Sequence, residues 1–180
     1  MNILLIILGV IVGIIVLILI IALFSKKSYS INRQVVVDRP RSEVYEYLRF
    51  LKNQDHYNKW ARMDPNMKKE YRGTDGAVGF VYAWEGNAQA GKGEQEIIAL
   101  TPDSLVDIEV RFERPFKAVA KTPLALESVP GNDRQTKITW GMSNNMKYPM
   151  NAILLFMNMD KALGKDLEES LGMLKGNLEK

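Results

Sequence analysis

From Ile3 to Phe24 the chain carries no charged side chain, and Ile, Leu and Val dominate the run. No other stretch restricts the possible folds so strongly. A helix of about 22 residues rising about 1.5 Å each spans roughly 33 Å, against about 30 Å for the hydrocarbon core of a bilayer. The segment is expected to cross a membrane without being cleaved. Met1-Asn2 supplies no basic n-region, and Ala22-Leu23-Phe24-Ser25 is a poor small-x-small cleavage site. Lys26 and Lys27 follow at once, Arg33 comes soon after, and no basic side chain precedes the run. By the positive-inside rule the rest of the chain lies in the cytoplasm. The expected organisation is therefore a single-pass protein of the cell membrane, with an anchor over residues 1–25 and one domain over 26–180. Gly9 and Gly13 form a small-xxx-small pair, so a weak homodimer through the anchor is an expected partner mode.

The roughly 150 residues after the anchor are enough to bury about two thirds of their unfolded surface without staples. Two inventories limit the chemistry. With no Cys and a single His, the chain has no disulfide framework, no thiolate zinc site and no thiol nucleophile, so neither a metal nor a cofactor is expected. With a net charge of +3 and acidic residues interspersed among basic ones through the domain, the charges read as a solvated surface. No nucleic-acid partner is expected, since that would need a basic stripe.

Ser28 to Asp38 reads as a strand, with Val35, Val36 and Val37 before the Arg39-Pro40 break. Helical spacing of Val44, Tyr45, Leu48 and Leu51 then predicts a helix over Arg41 to Leu51, and a second short one is predicted over Asn53 to Trp60. Beyond the Asp64-Pro65-Asn66 turn, short runs broken by Gly, Pro, Asn and Asp predict six antiparallel strands. These are Lys68 to Tyr71, Val78 to Glu85, Gly93 to Leu100, Leu105 to Phe112, Phe116 to Val129 and Gln135 to Asn144. In the fourth, Val106, Ile108, Val110 and Phe112 share one face while Asp107, Glu109 and Arg111 share the other, so the sheet has one dry side and one wet side. After Pro149, the spacing of Met150, Ile153, Met157, Leu167, Leu171, Leu174 and Leu178 predicts one long amphipathic helix. A curved antiparallel sheet wrapped on that helix buries both apolar faces, which makes the fold α+β behind a transmembrane helix.

Local motifs sharpen this outline. Trp60-Ala-Arg-Met-Asp64-Pro65 resembles the Trp-x-x-x-Asp-Pro segment of bacterial START-like (SRPBCC) proteins of the polyketide cyclase/dehydrase-like group. Tyr71-Arg-Gly73, Gly76, Gly79, Trp84-Glu-Gly86-Asn87 and Gly91-Lys-Gly93 with Ile97 resemble the glycine-punctuated hairpin of the same group, and Thr136-Lys-Ile-Thr-Trp140 its penultimate element. The resemblance covers essentially everything after Ser28. It implies the helix-grip fold shared with the major birch pollen allergen, a cavity between sheet and helix, and for many members a lipid or other apolar ligand. Other members cyclise polyketides, so the resemblance leaves carrier and enzyme both open.

Candidate cavity residues follow from face and chemistry. Phe80, Tyr82 and Trp84 share a strand face, and Trp140 has the same parity on another strand; Trp60 and Phe112 join the aromatic set. Met142 and Met157, with Met150 and Met159 nearby, are unbranched and polarizable, which suits surfaces accepting varied apolar ligands. Asp160 falls near the helix's buried stripe and would need a donor such as Tyr82, Trp84, an Arg or a polar ligand group. No catalytic residue is assigned. His56 lies on a short polar helix and no orienting carboxylate is identified for it, and the glycines precede strands, where no phosphate-cradling loop forms. The leading expectation is a membrane-anchored domain binding a lipid or other hydrophobic small molecule. The alternatives are a cofactor-free cyclase or isomerase using Asp160 and Tyr82, and a tethered interaction module with a filled core.

Overall fold

The computed structural model describes residues 2–180; Met1, counted above with the anchor, lies outside them. The first element, α1, runs from Ile3 to Phe24. Its large apolar side chains are exposed all round, with a mean hydropathy of 3.7 in its most apolar window. The helix has no polar face, and it is long and apolar enough to cross a membrane.

The strand β1 (Ser28–Val37) leads into α2 (Arg41–Leu48), a 3-10 turn at Leu51–Asn53, α3 (Gln54–Tyr57) and a second 3-10 turn at Trp60–Arg62. The predicted helices are thus shorter and more broken than their apolar spacing suggested. The strands β2 (Lys68–Arg72), β3 (Val81–Glu85), β4 (Lys92–Thr101), β5 (Leu105–Arg114), β6 (Ala118–Lys121), β7 (Leu124–Val129) and β8 (Asn132–Asn145) follow in sequence. All pair antiparallel in the order β1-β8-β6-β5-β4-β3-β2, with β7 joining β5 to β8. A 3-10 segment at Met150–Leu155 and the helix α4 (Met159–Leu178) complete the chain. One antiparallel sheet gripping one long C-terminal helix is the expected α+β architecture.

Two departures have physical causes. The predicted strand from Phe116 to Val129 bends into β6 and β7 at Thr122-Pro123, because proline has no N–H for the ladder. The backbone stays attached there, with the Thr122 N–H on the Ile108 carbonyl at 2.8 Å and the Gly141 N–H on the Pro123 carbonyl at 2.9 Å. The single helix predicted beyond Pro149 is likewise two pieces. Asn158 caps α4 by accepting from the Lys161 N–H at 3.1 Å, so the helical register starts afresh there.

The inner face of the sheet and α4 form the core. Ile31 and Val37 of β1, Val106 and Ile108 of β5, and Ile138 of β8 meet Leu167, Leu171 and Leu174 of α4 in one cluster. Burying each such side chain stabilises by about 1.5–3 kcal/mol. The outer face carries the opposite parity of β5: Asp107, Glu109 and Arg111.

Candidate functional site

The interior between sheet and helix is aromatic. Trp140 on β8 meets the Tyr57 ring edge-on at 5.8 Å and Trp60 at 6.5 Å, and Tyr57 lies 6.1 Å from Tyr47. Tyr57 is wholly buried, and among the described residues no acceptor lies within reach of its hydroxyl or of the Trp140 Nε1. Desolvation, with a smaller contribution from Tyr47, pushes the Tyr57 phenol well above the ordinary tyrosine value, so it stays protonated and able to donate. A buried donor left unpaired costs about 1–3 kcal/mol.

A second polar group within the fold is matched. Gln95 from β4 and Gln54 and Asn58 around α3 are buried together. The Gln54 Oε1 accepts from the Asn58 Nδ2 at 2.7 Å and the Gln95 Nε2 at 3.1 Å, while the Asn58 Oδ1 accepts from the Trp60 N–H at 3.0 Å. The Ser170 hydroxyl of α4 accepts from the Lys59 N–H at 3.0 Å, which seats this short-helix region on the long helix.

Of the residues singled out from sequence, Phe80, Tyr82, Trp140 and Met142 are buried in the core, and Trp60, Trp84 and Phe112 pack against it half-buried. They form separate groups. Phe80 and Tyr82 surround Tyr71 at 6.2 and 5.2 Å, and Trp84 meets Phe112 edge-on at 5.9 Å. The Tyr82 hydroxyl donates to the Asp55 carboxylate at 2.8 Å, and Asp55 also pairs with the Lys69 Nζ at 2.8 Å. Burial first and Asp55 second hold the Tyr82 phenol well above the ordinary value. The Trp84 Nε1 donates to the Ala90 carbonyl at 3.0 Å.

Met157 and Asp160 are not brought into the interior. Met157 precedes the Asn158 cap and is half exposed, and Asp160 sits in the first exposed turn of α4. The expected donor for Asp160 is an arginine: Arg33 of β1 reaches its carboxylate with Nη1 at 2.9 Å and Nη2 at 3.0 Å, and also binds Glu168. The hydrogen bond from Arg33 holds the Asp160 carboxyl below its ordinary range. Gly164 lies under that guanidinium, where a Cβ would collide with it. Asp160 and Tyr82 have different partners and do not form an acid–base pair. His56 is exposed at a surface hollow of about 530 Å³, shared with Tyr47, Asp55, Arg62, Asn177 and Lys180. A second hollow of about 410 Å³ lies at the Gly86–Gly91 and Arg114-Pro115 tips, and neither lies between sheet and α4.

Sequence reasoning missed Tyr57, placing it on a polar helix beside His56. The three-residue steps Leu51, Gln54, Tyr57 were the available signal, since all three turn out to be buried.

The family model described as polyketide cyclase / dehydrase and lipid transport matches residues 28–179, starting at the first residue of β1. Norcoclaurine synthase from Thalictrum flavum, solved with dopamine and hydroxybenzaldehyde, is 14% identical with a TM-score of 0.61 over 88% of this chain and 91% of that one. A Chromobacterium violaceum protein is 13% identical with a TM-score of 0.58, covering 84% of this chain and 97% of its own. The Aha1 dimer from Colwellia psychrerythraea is 17% identical with a TM-score of 0.57, over 84% and 96%. No curated protein matches the sequence. At such identities the solved structures share the fold.

Proposed function

The chain belongs to the polyketide cyclase / dehydrase and lipid transport family, and from that premise we propose that it is a membrane-anchored binder of a lipid or other apolar small molecule. In this reading α1 is a single-pass anchor within residues 1–25, and residues 26–180 form a cytoplasmic binding domain. The ligand lies between the sheet and α4 with a hydrogen-bond acceptor against Tyr57 and Trp140. One observation carries the reading: two buried donors, on rings 5.8 Å apart, have no acceptor among the described residues. A carbonyl, hydroxyl or ether oxygen on an otherwise apolar molecule would satisfy them, and pockets of that composition are the usual small-molecule sites. The solved norcoclaurine synthase, which holds small aromatic molecules, supports the capacity of the fold for such cargo. The Tyr57, Trp60 and Trp140 side chains must turn aside to admit it. A weak pairing of anchors through Gly9 and Gly13, both open to their surroundings, belongs to the same proposal.

The test compares full-length wild type with the Tyr57→Phe/Trp140→Phe double variant, both purified in detergent, by organic extraction and mass spectrometry. Lipids adhering to α1 are common to both and cancel. The expected result is a stoichiometric apolar molecule with an acceptor oxygen on the wild type that is depleted from the variant. Equal recovery from both, or none from either, favours the second reading, a tethered interaction module with a filled core. That reading has its own support in the two hollows of about 530 and 410 Å³, both of which lie on the surface.

A further inference from the structure

The segment between β8 and α4 leaves large apolar side chains uncovered. Phe156 is 74% exposed and Met157 50%, and Met150 and Leu155 beside them are also open. Its location is fixed by Asn151, which is wholly buried and whose Nδ2 donates to the Ala22 carbonyl at 2.6 Å and the Ser25 Oγ at 3.2 Å. The segment is therefore fastened to the last turn of α1. The Met146 N–H reaches the Lys27 carbonyl at 2.7 Å, and Ser28 pairs with Asn145, so strand ends and apolar segment share the end of the domain where α1 emerges.

Charge says what kind of surface this end faces. No Asp or Glu occurs before Asp38, nor from Arg134 through Met159, whereas Lys26, Lys27 and Lys147 all lie there. The two stretches that meet here thus bring lysines and, up to Met159, no carboxylate of their own, a composition that suits lipid headgroups over acyl chains.

Resting on the reading of α1 as a membrane anchor, we propose that the Met150–Met157 segment is a second membrane contact, lying in the surface of the bilayer that α1 crosses. Met150, Leu155, Phe156 and Met157 reach about 5–10 Å into the boundary between headgroups and acyl chains. The lysines meet lipid phosphates. The start of α4, immediately beyond, is thereby held at the membrane surface, and the domain has two points of attachment.

The absence of native cysteine allows single labels to be placed without background. The full chain is reconstituted in vesicles of phosphatidylcholine and phosphatidylglycerol with a spin label at Phe156→Cys, Ile14→Cys or Glu127→Cys, and each label's accessibility to oxygen and to a water-soluble nickel chelate is measured. Ile14 lies within α1, and Glu127 is an exposed residue of β7, far along β8 from Asn145. Oxygen should dominate at Ile14 and Phe156, and nickel at Glu127. If Ile14 reports lipid while Phe156 is as open to nickel as Glu127, the surface contact is wrong and the anchor stands. If Phe156 is closed to both reagents, protein covers it and the proposal fails. Nickel access at Ile14 overturns the anchor and this inference together.

Discussion

The two faces of the sheet treat polar groups in opposite ways. On the outer face Arg111 is met by Glu94 at 2.9 Å, Glu96 at 2.6 Å and Glu109 at 2.9 Å, and Arg72 joins the cluster through Glu94. On the inner face the Tyr57 hydroxyl and the Trp140 Nε1 are buried and unmatched. The contrast separates decoration from function. Water can replace any partner in the outer cluster, so its many contacts say little about stability or purpose. The inner donors are buried in the core, where a polar group without a protein partner is costly.

Three substitutions sharpen or break that contrast, each read by denaturation of the full chain in detergent. Leu171→Ala, under the middle of α4, should cost about 2–5 kcal/mol. A cost below about 1 kcal/mol would mean that the inner face is loosely packed and its burial argument void. Tyr57→Phe should raise stability by about 1 kcal/mol, because it deletes a buried donor and keeps the ring. A loss of similar size would reveal that the hydroxyl has a partner in the resting protein, and the two faces would then be alike. Arg111→Met should change stability by less than about 1 kcal/mol at moderate salt, with a larger cost at low salt, where three neighbouring glutamates repel unscreened. A large cost independent of salt would make the outer face structural too.

The sheet was legible because its side chains obey a period of two. Val106, Ile108 and Val110 are buried while Asp107, Glu109 and Arg111 face out, as alternation requires. The helix stripe was legible from Leu167 onward and misleading before it. Met150 and Met157 fit the same spacing, yet the Asn158 cap resets the register, and an asparagine followed by Asp160 in the first turn was the sign of a start. The interior was half legible. Trp140 and Tyr82 could be placed by strand parity, but Tyr57 sits on a single helical turn, too short for a period to show. The Arg33–Asp160 pair joins residues from opposite ends of the domain, and no local pattern encodes such a meeting.

The joint between α1 and β1 sets how far the domain can travel. Three residues, Ser25, Lys26 and Lys27, separate Phe24 from Ser28, and fully extended they would cover only about 10 Å. Asn151 shortens even that leash by gripping Ala22 and Ser25. With α1 in a bilayer, the domain is a bracket bolted to one leaflet. Whatever it binds must be collected from that same membrane, or handed over by a visitor that comes to the surface itself.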